Sequence, residues 1–138
     1  MVAKLQTFQK DIPLVVKRIL RENEGIFVEM VSEDQLYERG VDRNNNPIQP
    51  NYAPITISIK RTSGQPTDRV TTRDSGDFHN SFYIKFYGNI SFGLAARERS
   101  KAKALTEKYG DILDWTDEHL NDIIHNYIKP ALIRHLKR

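Results

Sequence analysis

Asp74, Asp77 and His79 place two carboxylates and an imidazole within six residues, the types that hold a divalent metal or pass a proton between an acid and a base. The same residues also spell a turn. Asp and Ser side chains bond nearby backbone amides, and Gly76 takes a positive φ without steric cost. The turn Asp74, Ser75, Gly76 and Asp77 accounts for both carboxylates, so His79 is expected as a surface side chain. On that reading Gly76→Val disturbs the turn and His79→Ala changes nothing.

The other histidines offer less. His119 and His125 lie six apart on a predicted helix and point in different directions, and Asp122 with His125 is an i, i+3 pair of the kind that solvates a helix face. There is no Walker A run, no G-x-G-x-x-G and no G-x-S-x-G. With no cysteine, disulfides, thiolate zinc sites and thiol catalysis are excluded. A protein that is not an enzyme, with no cofactor and no metal, is the expectation.

Charge points to a different chemistry. Residues 1–50 carry 7 basic and 8 acidic side chains, residues 51–110 carry 10 and 5, and residues 111–138 carry 4 and 5. The basic middle includes a candidate surface of Lys85, Arg97, Arg99, Lys101 and Lys103, with Tyr83 and Tyr87 on the strand face that holds Lys85. Cations interleaved with aromatics suit single-stranded nucleic acid, so a small basic nucleic-acid-binding domain is the alternative to a structural role.

The chain of 138 residues, 38% hydrophobic and 28% charged, has the size and composition of one globular domain. No apolar run approaches the roughly 18–20 residues of a membrane helix, and the first ten residues lack a signal-peptide core. A cytosolic product without a membrane partner is expected.

The elements that must position these residues follow from period and breakers. After a flexible lead over residues 1–10, Asp11 is expected to cap a helix with Pro13 in its first turn. Its stripe runs from Ile12 through Val15, Val16, Ile19 and Leu20 to Leu36 and Tyr37, is weakened at Asn23 and Gly25, and stops at Gly40. Asn44, Asn45 and Asn46 before Pro47 form a turn that Val41 and Ile48 can close as a short hairpin. Ile55, Ile57 and Ile59 alternate with polar residues and read as a strand, although Pro54 equally suits the first position of a helix. Arg61 to Pro66 is a polar loop.

A short strand from Thr67, the Asp74–Asp77 turn and a second strand come next. In that second strand Phe82, Ile84 and Phe86 face one way and Tyr83, Lys85 and Tyr87 the other. Gly88-Asn89 then turns the chain into Ile90, Phe92 and Leu94 as a hairpin with Gly at its first central position. Arg97 to Gly110 reads as a short basic helix. A final helix begins at the Thr116 cap, carries Leu120, Ile123, Ile124, Tyr127, Ile128, Leu132 and Leu136, and is kinked at Pro130. The fold class is α+β, a small antiparallel sheet with β-hairpins packed against a long N-terminal helix or helix pair and a C-terminal helix.

The run R-D-S-G-D-F-x-x-S-F, Arg73 to Phe82, resembles the (L/R)-x-(D/x)-(T/S)-G-x-(L/F)-x-x-S-(I/F) signature of tail-completion proteins of tailed bacteriophages, also called neck, head-tail joining or virion-morphogenesis proteins. Its turn motif is Asp74, Ser75, Gly76, Asp77, Phe78 and Ser81. Gly40, the asparagine turn and Tyr52-Ala53-Pro54 precede it in the family's order. Tyr109-Gly110, Leu113 to Trp115 and Thr116-Asp117-Glu118-His119-Leu120 follow in that order, with Ile112-Leu113-Asp114-Trp115 where the family often has R-P-F/R-x-F.

The resemblance covers roughly Gln35 to Leu136. It implies a structural virion protein, assembled in the host cytoplasm, that stands in a homo-oligomeric ring at the neck between connector and tail proteins. DNA would pass through the lumen, and the basic centre would face either that DNA, in non-specific contact, or an acidic neighbouring ring. Ring contacts are heterologous and need two different patches. Candidates for one of them are the turn Asn44, Asn45, Asn46 and the loop residues Arg61, Gly64 and Gln65.

Overall fold

The computed structural model describes residues 2–88 and 91–137, with side chains from residue 9 onward. The architecture is α+β. Helix α1 (Val2–Glu22) is followed at once by α2 (Glu24–Glu29), which continues as a π-helical segment over Met30–Arg39. Asn23, at φ −115°, is the break that the sequence marks there.

The helix does not start at Asp11. Val2–Glu22 is helical through Pro13, and the Asp11 carboxylate accepts a hydrogen bond from His135 Nε2 at 2.9 Å instead of capping a helix. The π-helical segment buries Val31 with Ser32 and Gln35 with Leu36, as α1 buries Val15 with Val16 and Ile19 with Leu20. Gly40 ends the run at φ 59°, ψ 44°. A Cβ there would sit 2.8 Å from Arg69 Cβ and 3.0 Å from the Val70 carbonyl, so the position needs glycine for backbone and space alike.

Val41 and Pro47 form a single bridge across the asparagine turn, and the Ile48 N–H donates to the Gly40 carbonyl at 2.9 Å. The strand expected at Ile55–Ile59 is a helix, α3 (Pro54–Thr62), with Pro54 in its first turn. The polar loop is correspondingly shorter, since Arg61 and Thr62 are helical.

No strand forms at Thr67–Arg73. The Thr71 N–H is taken by the Tyr52 hydroxyl at 2.9 Å, and Thr72 at φ 55° ends any extended run. The turn after it opens a one-turn helix, α4 (Asp77–Asn80), rather than a hairpin.

The sheet is the hairpin of β1 (Phe82–Phe86) and β2 (Phe92–Ala96), antiparallel with Phe82 opposite Ala96 and Phe86 opposite Phe92. The Tyr87 N–H reaches the Ser91 carbonyl at 2.9 Å, so the connection spans residues 88–90 rather than two residues. Asn89 of the expected turn and Ile90 at the start of the expected second strand lie outside the described residues.

Phe82 and Ile84 are buried against the N-terminal helices, and the Arg21 guanidinium lies 4.6 Å from the centre of the Phe86 ring. Across the hairpin, Ser81 and Tyr87 bond to Arg97 and Ser91, so the Ile84 N–H points to the free edge. There it donates to a Glu24 carboxylate oxygen at 2.8 Å, which blunts the edge strand.

Helix α5 (Arg99–Tyr109) ends at Gly110, whose φ is 82°. Thr116 caps α6 (Asp117–Asp122), its hydroxyl accepting the His119 N–H at 3.3 Å. The helix widens into π-helical turns over Ile123–Ile128 and resumes as α7 (Lys129–Leu136). The irregularity expected at Pro130 is thus spent ahead of it, where widening makes room for a ring that cannot receive a normal turn.

Trp115 closes the core. Its indole N–H donates to the Phe27 carbonyl at 2.8 Å, its ring meets Phe92 at 5.8 Å, and Phe27 stands edge-on to Tyr127 at 4.8 Å. The N-terminal helical region and the sheet meet at this side chain, and Tyr127 brings the C-terminal helical region onto Phe27.

Candidate functional site

The signature segment folds as a bracket between α3 and the hairpin. Gly76 has φ 95°, and a Cβ there would come no nearer than 3.8 Å to Asn80, so backbone conformation rather than space calls for glycine. Ser75 Oγ accepts the Asp77 N–H at 3.3 Å, and the Asn80 N–H returns to the Gly76 carbonyl at 2.9 Å.

Phe78 is buried and stands edge-on to Phe82 at 4.9 Å. Ser81 Oγ donates to the Phe78 carbonyl at 2.7 Å and accepts the Glu98 N–H at 3.4 Å, while the Ser81 carbonyl accepts from Arg97 at 2.9 Å. Each of these residues is spent on holding the turn to the start of β1 and the end of β2. Asp74 and Asp77 are exposed.

His79 is not on the surface. It is 4% exposed, packed beside Phe78 and Phe82, with Nε2 3.0 Å from Thr72 Oγ1. That hydroxyl donates to the Thr71 carbonyl at 2.6 Å, so its hydrogen is committed and the imidazole Nε2–H is the donor. Nδ1 has no partner among the described residues. Burial, then the positive charge of Arg73 and more weakly of Lys101 and Lys60, pushes the ring down to about 4 from 6.5, against a smaller opposing pull from Thr71. The imidazole is therefore neutral at pH 7 and serves the core. The two aspartates do not converge on it, and among the described residues no group of three His, Asp or Glu side chains is placed to hold a metal ion.

One of the two expected contact sets, the loop after α3, meets this turn. Gln65 Nε2 donates to the Asp74 carbonyl at 2.9 Å, and Lys60 Nζ joins Gln65 Oε1 at 2.9 Å to the Arg73 carbonyl at 2.8 Å. Arg61 and Gly64 stay exposed beside them. The asparagine turn stands apart. Asp42 Oδ1 accepts from the Asn44 and Asn46 amides, Asn45 adopts φ 62°, and Arg39 Nη1 donates to its side chain at 2.9 Å. Arg43 pairs with Asp114 at 3.1 Å, which ties this turn to the approach of α6.

The basic surface lies on the outer face of the hairpin and on α5. Arg97 stacks on Tyr83 at 4.3 Å and Lys85 lies 5.3 Å from the Tyr87 ring centre. Arg99 and Lys103 are exposed and Lys101 half-buried. None of these five cations is ion-paired among the described residues.

No family model matches this chain, and neither a curated protein nor a solved structure matches it.

The most connected polar side chain was not legible in advance. Gln35, fully buried, donates from Nε2 to the Asp114 carbonyl at 2.9 Å, while its Oε1 accepts from the Thr116 amide at 3.0 Å and faces His119 Nδ1 at 2.6 Å. His119 Nε2 lies 3.0 Å from Asp34 Oδ2, so both ring nitrogens face oxygens. The signal in the sequence is a glutamine inside an apolar stripe, between Val31 and Leu36. Tyr52, which receives the Thr71 amide and lies 4.9 Å from Lys60 Nζ, carries no such signal.

Proposed function

We propose that the chain is a non-enzymatic structural subunit of a tailed phage or prophage particle, one copy in a ring at the neck between connector and tail. What carries this reading is the turn unit. Gly76, Phe78 and Ser81, the residues through which the chain resembles tail-completion proteins, all hold a backbone junction, and none is presented for chemistry. A motif that builds a rigid joint suits a subunit that must keep its shape among identical neighbours. The partners are further copies of the chain and the connector and tail proteins above and below. DNA passing the lumen would meet the basic face non-specifically.

The test is light scattering on a size-exclusion column over a range of concentrations, with the peak imaged in negative stain. Closed rings are the expected outcome. A monomer that also fails to assemble on phage connectors would overturn it.

A second reading, a small nucleic-acid-binding domain, is favoured by one observation, the stacking of Arg97 on Tyr83 beside Lys85 and Tyr87. It requires DNA affinity that falls steeply with salt and drops when Lys101 and Lys103 are neutralised.

A further inference from the structure

Helix α3 buries none of its residues. Ile55 and Ile59 are 71% and 63% exposed, and Ser58 and Thr62 complete the same face at i, i+3, i+4 and i+7 spacing. On that face the Thr62 hydroxyl is already spent, donating to the Ser58 carbonyl at 2.9 Å. A short helix held at its end through Lys60 and Gln65, with Ile57 half-buried and Ile55 and Ile59 outward, is built to meet something outside its own fold.

The charge beside the face narrows what that is. Between Pro54 and Pro66 the only ionisable side chains are Lys60 and Arg61, and Arg61 is exposed with no ion pair among the described residues. The complement occurs elsewhere on the same chain. Glu22, Ile26, Glu29 and Glu33 follow one another at i, i+4, i+7 and i+11 down α1, α2 and the π-helical segment, all exposed. Ile26 stands 50% exposed in the middle of that acidic stripe. Glu22 leans on Arg18 at 3.9 Å, Glu33 on Arg73 at 3.6 Å, and Glu29 has no ion partner among the described residues.

We infer that α3 of one copy docks on the Glu22–Ile26–Glu29 stripe of the next, with Ile55 and Ile59 against Ile26 and Arg61 against Glu29. The contact joins two different patches of one chain, the arrangement a head-to-tail ring requires. It deepens the neck-ring reading and rests on it in taking the neighbour to be a second copy. Opposite charge at the rim sets which patch meets which, and the isoleucines supply the dry centre.

The chain has no cysteine, so single-cysteine variants test the pairing directly. Ile26→Cys and Ile59→Cys chains are mixed, oxidised and run without reductant, and wild-type association is followed by sedimentation velocity. All substitutions are at exposed positions, and an unchanged thermal midpoint confirms folding.

The mixed pair should cross-link well above either chain alone. Arg61→Glu on the Ile59→Cys chain should weaken it about tenfold or more, and Glu29→Arg on its partner should restore it. Cross-linking of Ile59→Cys with itself at equal yield would overturn the pairing in favour of a symmetric α3 contact. Rings that form from wild type and survive Ile59→Asp and Arg61→Glu unchanged would overturn it while leaving the neck-ring reading standing. A chain that neither associates nor cross-links would overturn the pairing, and with it self-assembly of the free chain.

Discussion

Thr72 Oγ1 lies 3.0 Å from His79 Nε2, and both side chains are buried. The pair couples a left-handed threonine to the one-turn helix of the signature and turns a histidine expected at the surface into part of the core.

Because burial and nearby cations lower the folded value of His79 to about 4, the unfolded chain binds the proton more tightly between pH 6.5 and 4. The neutral ring's contribution is complete above the unfolded value of 6.5 and is lost as pH falls through the folded one. A loss on the order of 3 kcal/mol across that window is expected. Urea unfolding at pH 7 and pH 4 should show it, and a His79→Gln chain should lose that part of the pH dependence. His79→Ala, once expected to be silent, should cost about 2–3 kcal/mol at pH 7 through the void it leaves.

Gly40→Ala should destabilise by roughly 2–4 kcal/mol, since positive φ and a clash with Arg69 Cβ and the Val70 carbonyl act together. Gly76→Ala and Gly64→Ala, both with positive φ but with no atom within 3.4 Å of the new Cβ, should cost only about 1–2 kcal/mol each. Denaturation midpoints of the three variants give the ordering, and equal losses would show that space at Gly40 is not limiting.

Gln35→Leu fills the same volume and removes the acceptor for Thr116 and the donor for Asp114. Leaving these buried groups unpaired should cost about 3 kcal/mol. Gln35→Glu keeps the acceptor but buries a carboxylate against the Asp114 carbonyl, so it too should destabilise at neutral pH, and urea unfolding of both variants measures the losses.

Glu24→Gln retains an oxygen for the Ile84 amide and should cost under about 1 kcal/mol, whereas Glu24→Ala uncovers the β1 edge. Hydrogen exchange at the Ile84 amide should rise in the alanine variant and stay near wild type in the glutamine one.

Where an element's pattern arises from its own burial, it was legible. Phe82, Ile84 and Phe86 alternate because one face of β1 is covered, and Gly40 and Thr116 end and begin helices by local chemistry. Helix α3 misled for the converse reason. With no buried residue it carries no core-facing stripe, so the alternation of Ile55, Ile57 and Ile59 imitated a strand while Ile55 and Ile59 in fact share an outward helical face. Asp11 looked like a cap because its true partner, His135, is 124 positions away. Within the candidate site, Ser75 and Gly76 were readable as turn residues, but the Asp74 and Asp77 carboxylates accept no backbone amide among the described residues, and His79 is buried beside Thr72 at positive φ, which no residue type announces.

The bond from Trp115 to the Phe27 carbonyl spans 88 positions, and the Gln35 to Thr116 bond spans 81. During synthesis at about 5–20 residues per second, the N-terminal helices leave the ribosome roughly 4–18 s before the side chain that completes their core. For that interval the Phe27 carbonyl has no indole to bond. A nascent chain is therefore protected late, and the seconds before Trp115 emerges are when a chaperone has most to hold.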